Sequence, residues 1–391
     1  MVRKLSNVYV IGGGESKYGE LWDRSLREIA VEAGLKAVEN AGIRTKDLNA
    51  IYMGNSLGGL ISKQEHLSAL MSDYAGIASE YIPSMRIEAS TASGGAAFRQ
   101  AYLSIKSGEH DVVMVGGAEK MTELYGTEII DITSSLVDRE WEAFNGATPA
   151  ALAALSARKY MRDFNVKKEA LAVISVNDHA NASLNDNAQY RNKITIEQAL
   201  NATPIAEPLN LMDCAPMTDG ASSVILASEK YVKEHGSKGV RIMGSAVSQG
   251  PFALHSRKSF YTVEPTIIST KKALEQAKIK LGDISFVEMH DSYSIYGLMA
   301  LEDLGFAQKG HASELVENGI GLNSNLPVNP SGGLKAKGFP YGAAGVSQIY
   351  EAYLQLSGKA GKRQIKNASY GLLHNMAGSG AASVVHILGV E

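Results

Sequence analysis

A helix–strand unit in this chain recurs 236 positions later, and that duplication constrains the fold more than any local motif. Ala37-Val38-Glu39-Asn40-Ala41-Gly42-Ile43 aligns with Ala273-Leu274-Glu275-Gln276-Ala277-Lys278-Ile279, Asp47-Leu48 with Asp283-Ile284, and Ile51 with Val287. A second match lies at an offset of 250, where Gly95, Ser107 and Gly108 face Gly345, Ser357 and Gly358. The fourteen additional residues fall in a Pro- and Gly-rich segment, 322–340. Each half closes on an apolar strand, at 112–115 and 383–388. At 391 residues the chain exceeds one ordinary core. It therefore reads as one βαβ-type α/β unit duplicated, with its halves packed about a pseudo-two-fold axis.

In the first half, Glu88-Ala89-Ser90-Thr91-Ala92-Ser93-Gly94-Gly95 reads as a strand-to-helix corner. Ser90 and Thr91 suit an N-cap, and Ala97, Ala101 and Ile105 follow at helical spacing. Such a corner is either a capped core helix or a seat for a nucleophile or anion, since unpaired N–H groups and a positive dipole end meet there. The repeat sets Thr91 opposite Tyr341 and Gly54 opposite His290. Two helix starts and a strand-end histidine then converge where the halves meet, the place where α/β folds form crevices. His290 is accordingly either ligand-facing or an oriented structural residue. Gly12-Gly13-Gly14 reads as a tight turn after a first strand at 8–11, and Gly12, Gly14 and Gly19 lack the dinucleotide spacing. The segment 120–206 is too long for a connection and reads as an inserted lobe. The halves are then 1–236, with the lobe, and 237–391.

Composition narrows the function classes. With 45% apolar and 20% charged residues the chain is an ordinary globular one, and a net charge of −3 gives no case for nucleic acid or an anionic membrane. The longest nearly apolar run, 147–157, contains Pro149 and is too short to span a bilayer. No export signal is legible at the N-terminus, so the expected location is the cytoplasm. Cys214, the one cysteine, excludes an internal disulfide and reads as a packed free thiol. His66, His179 and His374 lack metal-ligand spacing, so no metal is expected.

A family likeness rests on Gly19-Glu20-Leu21-Trp22, Gln64-Glu65-His66, the 88–98 corner, Val115-Gly116-Gly117-Ala118-Glu119-Lys120-Met121 and Trp141-Glu142-Ala143-Phe144. It continues through 213–221, His290-Asp291, Leu301-Glu302-Asp303-Leu304-Gly305-Phe306, Asn329-Pro330-Ser331-Gly332-Gly333-Leu334-Lys335-Ala336-Lys337-Gly338 and 374–382. These segments resemble the thiolase superfamily, in particular the archaeal acetoacetyl-CoA thiolases and the sterol-carrier-protein-type thiolases. The resemblance implies two βαβαβαββ halves in five layers, α-β-α-β-α. It implies coenzyme A or acyl-CoA as ligand, no covalently bound cofactor, and ligand-binding glycines at Gly338, Gly378 and Gly380. It also implies a homodimer or tetramer, and association with hydroxymethylglutaryl-CoA synthase through a small zinc-ribbon and OB-fold acyl-CoA-binding protein.

The reacting groups depart from that family. The position of its acyl-accepting cysteine is Thr91, whose hydroxyl has no thiolate form and needs a dedicated base. Ser292 stands where the family's proton-transferring cysteine belongs, with Tyr293 after it, and Phe339 replaces the Gly-His-Pro histidine. His290 alone of the reacting set remains. The first reading is an acyl-CoA-binding or complex subunit without thiolase activity. The second is a carbon–carbon bond enzyme without cysteine, of retro-aldolase type, with Tyr293 and Tyr341 available as acid/base or oxyanion donors. A third is an acetyltransferase with an altered site, in which Thr91 is acylated with His290 as base.

Overall fold

The computed structural model describes residues 6–390. Its strands are β1 (Val8–Glu15), β2 (Ala50–Gly54), β3 (Ser84–Ile87), β4 (Val112–Glu119), β5 (Pro204–Ala206), β6 (Leu209–Asn210), β7 (Gly220–Ser228), β8 (Val240–Gln249), β9 (Phe286–Glu288), β10 (Tyr370–Ala377) and β11 (Ala382–Gly389). β5 and β6 pair with each other, and the other nine form one mixed sheet in the order β3-β2-β4-β7-β1-β8-β11-β10-β9. Outward from its centre the two sides repeat: β1, β7, β4, β2, β3 on one, and β8, β11, β10, β9 on the other. A bridge between Val287 and Val328 takes the place of β3 on the second side. β1 meets β8 antiparallel through Tyr9–Arg241 and Val10–Val240, as a two-fold relation requires.

This order corrects one expectation. Strand 112–115 does not correspond to 383–388; β4 corresponds to β10, and β7 to β11. The lobe lies between β4 and β7 in the first half, whereas β10 and β11 are joined by the tight turn Gly378-Ser379-Gly380, so sequence spacing misleads there.

Helix Leu26–Ala41 covers β1, β4 and β7 on one outer face, and helix Glu264–Ala277 covers β8 and β11 on the other. Between the half-sheets, helices Ser93–Lys106 and Tyr341–Leu356 pack against each other and against strands of both halves, which completes five layers. Their contact needs glycine. A Cβ on Gly94 would lie 2.7 Å from Gly342 O, and one on Gly345 would lie 2.4 Å from Gly95 N. The three glycines 12–14 form no turn, because β1 runs on through them to Glu15. They are flattened between helices: a Cβ on Gly12 would meet Ala41 N at 2.5 Å, and one on Gly13 would meet Tyr350 Cδ2 at 2.4 Å.

The lobe consists mainly of helices, including Pro149–Phe164 and Lys168–Ala182, which pack on helix Ser294–Asp303 of the second half. Thr148 caps the first of these by accepting from Ala151 N–H, with Pro149 at the first helical position. Among the described residues no helix is long and apolar enough to cross a membrane.

Candidate active site

A partly open cavity lies at the crevice between the halves, beside the central helix starts. Thr91, Ser292, Tyr293, Phe339, Tyr341 and Gly378 line it together with Tyr296, and Leu136, Val137 and Pro149 of the lobe close it. Another cavity, almost wholly apolar, sits on the outer face beneath helix Leu26–Ala41. None of its lining residues is titratable, so the chemistry belongs to the first.

Thr91 is not the N-cap that its residue type suggests. The helix starts at Ser93 with Ala92 as an N-cap that makes no side-chain bond, and Ser90 sits in the left-handed region at φ 54°. The Thr91 hydroxyl instead donates to Met376 O (2.6 Å) and accepts from Gly378 N–H (2.9 Å). A hydroxyl has one proton, and here a carbonyl holds it. No base contacts Oγ1 among the described residues.

His290 lies buried behind the cavity wall, with its Nε2 3.0 Å from Ser292 Oγ and no partner for Nδ1. Burial pushes its pKa down to about 4, so the ring is neutral at physiological pH and Nε2 can accept from the serine. His290 N–H donates to His374 Nδ1 (3.4 Å), which leaves the His374 proton on Nε2, 3.0 Å from Thr266 Oγ1. Phe339 stands edge-on to His290, ring centroids 5.3 Å apart. It fills that corner without offering a donor.

The phenols of Tyr293, Tyr296 and Tyr341 reach the cavity, and none makes a hydrogen bond within the described protein. Burial raises the pKa of all three; the neighbouring Tyr341 raises Tyr293 further, Glu119 raises Tyr341, and Arg257 partly offsets the effect at Tyr296. They therefore stay protonated and act as hydrogen-bond donors. Tyr296 lies three residues beyond Tyr293 at the same helix start, a helical spacing that could have identified it from sequence.

Glu119 positions Tyr341. Its carboxylate accepts from Gly342 N–H (2.9 Å) at the start of that helix, and from Ser56 N–H (2.9 Å), Leu57 N–H (3.0 Å) and Asn55 Nδ2 (2.8 Å). Burial pushes its pKa up to about 7 against those donors. The folded chain thus binds a proton more tightly than the unfolded one, so this group's contribution to stability falls as pH rises from about 4.5 to about 7. In Glu119→Gln that dependence is absent. Denaturant titrations across this range should show the stability gap moving in the variant's favour as pH rises; a constant gap would exclude a raised Glu119.

Of the remaining expected residues only Gly378 belongs to the cavity lining. Gly338 (φ 121°) abuts Thr218 and Gly380 (φ 113°) abuts Arg257, while Gly378 reaches the cavity. Cys214 is a free thiol whose Sγ–H donates to Asn210 O (3.4 Å); burial, with Asp213 nearby, pushes it up to about 12. His66 is exposed, and His179 is buried with Nδ1 3.0 Å from Asn192 O. Among the described residues no cluster of three or more His, Cys, Asp or Glu could hold a metal ion.

Residues 8–230 match the family described as "Thiolase, N-terminal domain", and residues 244–390 match "Thiolase C-terminal domain-like". An acetyl-CoA acetyltransferase of Methanothermobacter thermautotrophicus is 44% identical over 98% of this chain and 99% of its own length. Sterol carrier protein 2 of Oryctolagus cuniculus is 28% identical over 97% of the chain and 71% of its own. Among solved structures, the Ltp2-ChsH2(DUF35) aldolase superposes with a TM-score of 0.85 at 22% identity, covering 98% of both chains. With both halves matched and a 44% identical relative along its length, the chain belongs to the thiolase family.

Proposed function

We propose that this protein cleaves the Cα–Cβ bond of β-hydroxyacyl-CoA thioesters by a retro-aldol reaction, without an acyl-enzyme. One observation carries the reading: three phenols without a hydrogen-bond partner among the described residues converge on a cavity in which the Thr91 hydroxyl is already committed. The name of the aldolase with the same fold supports the same reading.

The substrate β-hydroxyl donates to Ser292 Oγ, whose own proton passes to neutral His290 Nε2. The Cα–Cβ electron pair moves into the thioester as Cβ becomes a carbonyl, and the resulting enolate oxygen accepts from Tyr293 and Tyr341. One phenol then protonates Cα, and His290 returns its proton to that phenolate through Ser292. The products are acetyl-CoA, or an α-substituted homologue, and an aldehyde or ketone.

The test is a panel: acetoacetyl-CoA with CoA, acetyl-CoA alone, and short β-hydroxyacyl-CoA thioesters, with intact protein mass read in each tube. Cleavage of the hydroxyacyl thioesters without an adduct is the expected result. An acyl adduct with thiolysis would restore the thiolase reading, and silence with CoA binding retained would leave an acyl-CoA-binding subunit. Thr91→Ala should keep turnover within about twofold, while losing about 1 kcal/mol of stability with its two hydrogen bonds. A hundredfold loss of turnover would make Thr91 a nucleophile.

The reading includes an assembly. β3 is a partly exposed edge strand, and open edges favour pairing with a second copy, so we take the protein as a homodimer or tetramer of units built on 1–236 and 237–391. A small zinc-ribbon acyl-CoA-binding partner fits the two-component name of the aldolase.

A further inference from the structure

Arg257 is buried at 8% exposure immediately behind the cavity, and no carboxylate lies within ion-pair distance of it among the described residues. Its Nη1 donates to Ser379 O (2.5 Å) and its Nη2 to Ser379 Oγ (3.3 Å), while Nε has no partner. Glu142 and Glu264 act on it only from a distance. Glu142 is moreover taken up by the N–H groups of Leu254 (2.7 Å) and Asp138 (3.1 Å). Buried charges in proteins are ordinarily paired, so a buried guanidinium bound only to one serine is an uncompensated cation.

That cation bears on the cavity through two lining groups. Ser379 Oγ accepts from Arg257, so the serine's own O–H is free to donate. The Tyr296 phenol feels the same positive charge and has no protein partner. We infer that Tyr296 and Ser379, backed by Arg257 as a positioning residue, receive a carboxylate at the distal end of the acyl group. Resting on the retro-aldol reading, this narrows the substrate class to β-hydroxyacyl-CoA thioesters that carry a second, free carboxyl group. The coenzyme's phosphates are a poorer fit. The end is buried, and Val137 and Leu136 beside it suit an acyl chain.

The experiment is calorimetric titration with glutaryl-CoA and pentanoyl-CoA. Both carry five-carbon acyl groups and neither has a β-hydroxyl, so neither can be cleaved. The unaltered protein is expected to bind glutaryl-CoA at least about tenfold more tightly, the scale of a charge-assisted contact. Arg257→Gln and Ser379→Ala should each abolish that preference and leave pentanoyl-CoA within about twofold. Arg257→Lys, which keeps the charge, should retain part of it. Equal affinities in the unaltered protein would overturn the inference. So would a preference that survives Ser379→Ala and Arg257→Gln, or both ligands weakening together, which would assign Arg257 to support of the 378–380 turn. Because binding alone is read, the preference can hold where cleavage fails, and the two readings then fall separately.

Discussion

Tyr341→Phe is expected to lower turnover of a β-hydroxyacyl-CoA by about a hundredfold to a thousandfold, the cost of removing one oxyanion donor. Affinity for a non-cleavable acyl-CoA should stay within about twofold, because the ground-state thioester oxygen carries little charge and the aromatic wall is kept. Stability should not fall. The Tyr341 phenol makes no hydrogen bond among the described residues, so its removal leaves no orphaned partner. Tyr160→Phe is the opposite case. Its phenol is bonded to the buried Glu302 carboxylate, far from the cavity lining. Loss of that bond should cost about 1–3 kcal/mol in denaturant unfolding with turnover intact. Should Tyr341→Phe retain full turnover, the enolate would have to be stabilised elsewhere, and the retro-aldol assignment would fail at its central step.

These two tyrosines also mark what could be read from the sequence and what could not. The 236-residue offset located the two helix–strand units, because helices Leu26–Ala41 and Glu264–Ala277 do the same job on opposite outer faces. The same repeat brought Thr91, His290 and Tyr341 to one crevice. It misaligned β4 because apolar strands buried on both faces look alike, and only hydrogen-bonded order separates β10 from β11. The glycines 12–14 signalled a turn because the signals for a tight turn and for a crowded strand are the same residue; which applies depends on Ala41 and Tyr350, distant in sequence. Thr91 could be read as a candidate site residue at the crevice, but not as a bridge to Met376 and Gly378, 285 and 287 residues away. Arg257 and Ser379 were invisible for the same reason. Nothing local distinguishes an unpaired buried arginine from a solvated one.

The support beneath His290 was equally hidden, and Lys335→Met probes it. Lys335 Nζ lies 2.8 Å from Asp178 Oδ2 and 2.6 Å from Asp291 Oδ2, with all three side chains buried. Burial and the charge of Asp291 raise the Asp178 pKa well above the carboxylate range. At Asp291 burial also raises the pKa, but the lysine outweighs it and the net direction is down. The lysine thus faces two buried carboxyl groups whose pKa values shift in opposite directions. Methionine preserves the volume and leaves the Asp291 carboxylate without a cation. Breaking a buried pair in this way costs about 3–5 kcal/mol, and that loss is expected near neutral pH in denaturant unfolding. The sign of its pH dependence follows from both proteins. In the unaltered chain the Asp291 pKa is depressed, so its stabilising contribution disappears as pH falls through the carboxylate range. In the variant that pKa is raised, so acid protonates the stranded carboxylate and relieves the penalty. Both changes shrink the gap between the two proteins on going from neutral pH to about pH 4. A gap that is constant with pH would mean that the site is hydrated and Asp291 is not held by the lysine. Turnover should fall with stability, since Asp291 separates His290 from Ser292 and its displacement opens the 3.0 Å contact between Nε2 and Oγ.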